Sequence, residues 1–207
     1  MSVSPVCPRC GEALTVKPGS TAEGWCHVHA LVTPLHHTAV VAHDAINAVT
    51  ADARVPAWVP DPMPGGWAVT GLAWGGEPGA RAIVVACAGP APLGGPAELV
   101  LVAEEPGTGL GCGYAGLPGV DPGDLVSGPS TAEIRAAGQR APLWLVPTGD
   151  DRAAYVGEAN GVWLWLVTWP ASAAWLLAED LELLDLRDRV YPDLPLGPPT
   201  ERLLPGR

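Results

Sequence analysis

Residues 155–170 read YVGEANGVWLWLVTWP, and the Asn160-Gly161 pair at their centre decides the fold class. A two-residue type I′ turn needs positive φ at both positions, which Asn and Gly tolerate, so the flanking runs form a β-hairpin with fixed register. Ala159 then faces Val162 and Glu158 faces Trp163. Trp163, Trp165 and Trp169 fall on one side of the second strand, Leu164, Leu166 and Thr168 on the other. Both sides are apolar, which places this strand in the middle of a sheet covered on each face. Trp is the main large aromatic in a chain without Phe, so core packing is favoured over an exposed stacking platform.

Working outward, WAVTGLAW (67–74), RAIVVACA (81–88), AELVLVAE (97–104), APLWLVP (141–147) and RAAYVGEA (152–159) are further short β-like runs. After Pro170, ASAAWLLAED predicts a short helix with Ser172 as its N-cap. Residues 181–187 fit a helix extension or a final strand, with alternation of Leu181, Glu182 and Leu183 favouring the strand. Upstream, Ala45, Ile46, Val49 and Ala53 predict a short amphipathic helix over 44–54. The proline-rich 55–66 predicts an extended strap anchored by Trp58. Residues 105–130 read as one long glycine-rich loop. Their Gly111-Cys112-Gly113-Tyr114-Ala115-Gly116 matches G-x-G-x-x-G, but a dinucleotide site needs a helix directly after it, and Leu117-Pro118-Gly119 does not open one.

The N-terminus carries the one chemically specific pattern: Cys7-Pro8-Arg9-Cys10-Gly11, fifteen residues, then Cys26-His27-Val28-His29. Two residues between ligands fold the chain into a knuckle that aims both side chains at one ion. Three thiolates and an imidazole suit a closed, tetrahedral, structural Zn²⁺ site. The expected ligands are Cys7, Cys10, Cys26 and His29, holding one zinc. His29 completes the second knuckle, with His27, His36 and His37 as alternatives for the fourth position, and His36, His37 and His43 otherwise read as linker residues. Leu14 and Val16 alternate before Pro18-Gly19 and Trp25 returns, as in the hairpin of a zinc ribbon. A segment this small buries little core, so bound metal would supply much of its folding free energy.

The expected fold is therefore α+β: a zinc ribbon over 1–37, a short helix and strap over 38–66, and over 67–207 a mainly antiparallel sheet with one or two short helices. Composition narrows function. The net charge is −11, all of it after residue 43, which repels nucleic-acid phosphates. The single lysine, Lys17, excludes a phosphate-binding Walker loop. All five histidines lie at or before residue 43, G-x-S-x-G and H-E-x-x-H are absent, and Cys87 and Cys112 have no nearby histidine in sequence; no catalytic residue is assigned and an enzyme is disfavoured. Glu104-Glu105 and Asp150-Asp151 read as solvated surface pairs, since neighbours on a strand point to opposite faces. MSVSPVCPRCGE lacks a signal-peptide pattern, and the uncharged stretch 160–178 is broken by Pro170, so a cytosolic protein without a membrane span is expected. In that compartment the five cysteines read as ligands or buried thiols rather than disulfides.

The segments CPRCG (7–11), WCHVH (25–29), RVPAWVPDPMPGGWAVTGLAW (54–74), CAGPAPLGGPAELVLVAEEPGTGLGCGYAGL (87–117), APLW (141–144), YVGEANGVWLWLVTWP (155–170) and LLDLR (183–187) together resemble an uncharacterised zinc-ribbon-containing family of high-GC Gram-positive bacteria. The G- and C-rich codon bias implied by abundant Trp and Arg agrees with that source. The resemblance implies that ribbon and sheet travel together and transfers no catalytic residue. The expected role is protein–protein interaction, as an accessory or regulatory module; a small-ligand pocket framed by 105–130 is the second expectation.

Overall fold

The computed structural model describes residues 4–16, 23–178, 180–188 and 193–206. At the N-terminus β1 (Thr15–Val16), β2 (Gly24–Cys26) and β3 (Ala30–Val32) form an antiparallel three-stranded ribbon. Then follow β4 (Leu35–His37), α1 (His43–Thr50), β5 (Trp58–Pro60), β6 (Ala68–Gly75), β7 (Ala82–Pro90), β8 (Pro96–Glu104), α2 (Leu110–Ala115), β9 (Ala132–Ala136), β10 (Gln139–Val146), β11 (Ala153–Ala159), β12 (Val162–Trp169) and β13 (Glu182–Asp185), with short 3-10 turns at Gly123–Leu125, Ala171–Ala178 and Glu201–Leu203.

Among the described residues the second sheet is ten-stranded, in the order β4-β6-β7-β8-β12-β11-β10-β9-β13-β5. Every pair in it is antiparallel except β13 with β9. The β11–β12 hairpin has the expected register, Ala159 opposite Val162 and Glu158 opposite Trp163, with positive φ at Asn160 and Gly161. β12 lies mid-sheet beside β8. Its Leu164 and Leu166 join a core containing Leu99, Leu101, Ile46, Trp58 and Leu176. Its Trp165, Val167 and Trp169 join a second core on the other face with Val100, Val102, Leu110, Tyr114 and Leu203. The sheet curls so that β5 packs against β7 and β8 across the first core.

The strap anchors as expected: Trp58 is buried and β5 pairs with β13. The Asp185 carboxylate, fully buried, fixes this corner. Its Oδ1 accepts from the Ala57 and Arg187 N–H groups, and its Oδ2 lies 2.7 Å from the Arg187 guanidinium. Residues 182–185 are the strand favoured from sequence.

Four readings need correction. The segment 105–130 is not one continuous loop, because Leu110–Ala115 is helical. Helix propensity argues against glycine here, but Leu110, Cys112 and Tyr114 bury their side chains under the sheet, and tertiary packing overrides propensity. Glu104 is not a surface residue: it is fully buried, and only Glu105 reaches the surface, where it pairs with Arg54 and Arg81. The helix after Pro170 is a 3-10 helix from Ala171, so Ser172 lies inside it and is not its cap. His36 and His37 lie in β4 rather than in a linker, with His36 stacked on Trp74. No helix among the described residues is long and apolar enough to cross a membrane.

Candidate metal centre

The first knuckle forms because Cys7 accepts a hydrogen bond at its carbonyl from the Gly11 N–H (2.9 Å) and turns the Arg9 and Cys10 N–H groups onto its sulfur. The second repeats this, with the Val28 and His29 N–H groups on the Cys26 sulfur. The residue after each second ligand is left-handed, Gly11 at φ +72° and Ala30 at φ +58°. Two such turns, one closing the β2–β3 hairpin and the other joined to β2 through β1, bring the Cys7, Cys10 and Cys26 sulfurs and a His29 nitrogen within 4.8 Å of one another. His27 is exposed on the turn, and His27, His36 and His37 stand outside the cluster.

Three of the separations match the edges of a metal tetrahedron. Zn–S bonds of about 2.3 Å and Zn–N bonds of about 2.0 Å set S···S edges near ~3.8 Å and S···N edges near ~3.5 Å. Cys10 Sγ and Cys26 Sγ are 3.8 Å apart, Cys7 Sγ and His29 Nδ1 3.5 Å, and Cys26 Sγ and His29 Nδ1 3.8 Å. Burial pushes the Cys7 thiol up to about 12, opposed by the Arg9 and Cys10 N–H groups. Burial, with the charges of Arg9 and His27, lowers the pKa of His29, favouring the neutral imidazole that ligates metals. The donor set fits zinc, and four protein ligands leave no position for a substrate.

The centre is built into the fold from three sides. Val6 exchanges two 2.9 Å backbone hydrogen bonds with Leu35 of β4, tying the knuckle to the large sheet. Beneath it lies α2: a methyl group at Gly113 would meet the Pro8 carbonyl oxygen at 2.7 Å, and the Arg9 guanidinium donates to the Pro118 carbonyl. The C-terminal segment closes the third side, with Leu203 and Leu204 in the core and the Pro205 carbonyl where a Gly11 side chain would stand. The Tyr114 hydroxyl donates to the Leu203 carbonyl, joining this segment to α2.

Glu104 secures α2 from within. Its two oxygens accept from the Leu110 (2.7 Å) and Gly111 (3.0 Å) N–H groups at the helix start. Burial pushes this carboxyl up to about 7; the two N–H groups oppose that rise and nearby Asp121 adds to it. A phosphate cradled by the glycine-rich pattern would need those same N–H groups, which the protein's own carboxylate occupies. The sequence offers one cue missed above: a glutamate six and seven residues before the two N–H groups it caps.

The chain belongs to a family of unknown function, DUF6758, which matches residues 1–203. No curated protein and no solved structure matches it. The family match spans both the Cys/His cluster and the large sheet, and it transfers no activity to any residue.

A cleft of about 420 Å³ opens between the ribbon and the large sheet. Arg9, Glu23, His29 and Leu31 line one wall, and Glu77, Arg81, Gly107, Thr108 and Val120 line the other. The cavity expected within 105–130 is thus only partly framed by that segment.

Proposed function

We propose that this protein is a cytosolic interaction module whose ribbon is held in shape by one structural zinc ion on Cys7, Cys10, Cys26 and His29, and is presented to a protein partner from an acidic sheet domain. The clustering of the four donor atoms, with three separations of 3.5–3.8 Å, carries the reading. A closed Cys₃His site supplies rigidity instead of chemistry. The ribbon's outer face supports an interaction role: Thr15, Trp25 and Leu31 lie side by side across β1, β2 and β3, and Trp25 and Leu31 are 57% and 58% exposed. Large side chains so exposed on a metal-stiffened surface are available to a partner. The net charge of −11 argues for a protein partner over a nucleic acid.

The test is capture of partners from the native host by tagged full-length protein, beside the Cys7→Ser/Cys10→Ser and Trp25→Ala variants, followed by reconstitution with the purified partner. The reading requires a protein that binds the wild type directly and is lost with either variant. A partner retained equally by all three, or none that reconstitutes, contradicts it.

A further inference from the structure

Of the five cysteines only Cys10 is partly exposed; Cys7, Cys26, Cys87 and Cys112 are buried. Cys10 also belongs to the metal centre, where its sulfur lies 3.8 Å from that of Cys26. An oxidant arriving from solvent therefore meets one cysteine first, and that cysteine has a second sulfur beside it. We propose that Cys10 is a site of modification by hydrogen peroxide, and that Cys26 resolves the oxidised sulfur as a disulfide that opens the metal centre. The inference rests on the reading of the ribbon as zinc-bearing and names the reaction that would discharge the ion.

Susceptibility to oxidation follows thiolate character and access together. A thiol that ligates a metal is held deprotonated, so Cys10 has both properties in the loaded protein. Cys87 and Cys112 have neither, because they are buried and burial pushes both thiols up to about 12. The cleft between ribbon and sheet is lined by Arg9 and His29, so solvent reaches the centre itself. The Cys10 thiolate attacks one peroxide oxygen: an S–O bond forms, the O–O bond breaks and hydroxide leaves, giving a sulfenic acid. The Cys26 thiolate then attacks that sulfur; the S–S bond forms, the S–O bond breaks and a second hydroxide leaves. Two thiolates give up two electrons, and one peroxide is reduced to two hydroxide ions. The sulfurs close from 3.8 Å to about 2.05 Å, so a four-ligand site loses two thiolates in one event. The bond joins the two knuckles covalently, which keeps the ribbon tethered while Trp25, next to Cys26 on the docking face, shifts with its neighbour. In a reducing compartment such a disulfide is transient, and thiols reverse it.

The experiment treats the zinc-loaded full-length protein with hydrogen peroxide and follows zinc release with a chromogenic chelator. Remaining thiols are blocked with iodoacetamide, and the products are mapped by peptide mass spectrometry. The expected result is one zinc released per Cys10–Cys26 disulfide, at a rate roughly tenfold or more above oxidation of Cys87 or Cys112, with zinc binding restored by a dithiol reductant. Zinc retained under peroxide, a disulfide linking Cys7 to Cys10 or to Cys26, Cys10 driven to sulfinic acid with Cys26 still free, or oxidation beginning at Cys87 or Cys112 would each overturn the proposal. A protein isolated without metal that still forms the Cys10–Cys26 disulfide would instead overturn the zinc reading and leave the peroxide site standing.

Discussion

Glu104 shows how one side chain decides a local structure that propensity opposes. A glycine-rich six-residue helix gains little from its own hydrogen bonds, and the buried carboxylate supplies the partners its first N–H groups lack. The cost is pH dependence. Its folded-state pKa, about 7, lies above the ordinary 4.5, so the folded state binds a proton the unfolded state has released. The Glu104 contribution is therefore most favourable below 4.5, is lost as pH rises towards 7, and levels off above, a span of about 3 kcal/mol. Denaturant unfolding of wild type and Glu104→Gln between these pH values should show that slope only in the wild type; equal slopes would remove Glu104 as its source. At Ala30, φ is +58° in a turn where the matching residue of the first knuckle is Gly11. Ala30→Gly relieves that backbone and should raise stability by about 0.5–1 kcal/mol, measured as a higher denaturation midpoint.

At the scale of elements, two corners hold the assembly together. Asp185 is buried at the junction of β13 and the strap, and its removal leaves the Ala57 and Arg187 N–H groups and the half-buried Arg187 guanidinium without their acceptor. Asp185→Ala should cost about 3 kcal/mol in urea unfolding, whereas a surface pair such as Arg140–Glu133 should cost well under 1. Gly113 is where α2 meets the first knuckle. Gly113→Ala should raise amide exchange across residues 7–11 while β8 and β12 stay protected; unchanged exchange there would mean the knuckle is held without α2. Strands with local signals were legible: Asn160-Gly161 fixes a register by itself, and alternation of Leu181, Glu182 and Leu183 favours strand over helix, whereas β4 and β9 carry no such signal and were not read. α2 was not legible, because its cap comes from the preceding strand and its stability from burial under a sheet. The burial of Glu104 was hidden for the same reason, since its neighbour Glu105 has the same charge and the opposite fate. The C-terminal residues against Cys10 and Gly11 left no trace in the sequence, being a contact between the two ends of the chain.

Across the whole molecule, the Cys/His cluster sits where the ribbon, β4, α2 and the C-terminal segment converge, so the ligands join parts that are far apart in sequence. The four residues of the cluster were readable from the two knuckle spacings, with His27, His36 and His37 left open beside His29; the fold brings His29 to the three cysteines. Their docking onto α2 and the chain's end was not, because no periodicity encodes it. If the ion supplies the ribbon's folding free energy, its loss should loosen the ribbon while the two-cored sheet persists. The most direct measurement is metal analysis of the purified full-length protein and of Cys26→Ser, with near-ultraviolet circular dichroism following Trp25 during chelation. The account requires about one zinc per chain in the wild type, its loss in Cys26→Ser, and a chelator-induced change in the ribbon signal that zinc reverses. A wild type purified without metal that takes up none when supplied, or a Cys26→Ser protein that keeps its zinc, would contradict it.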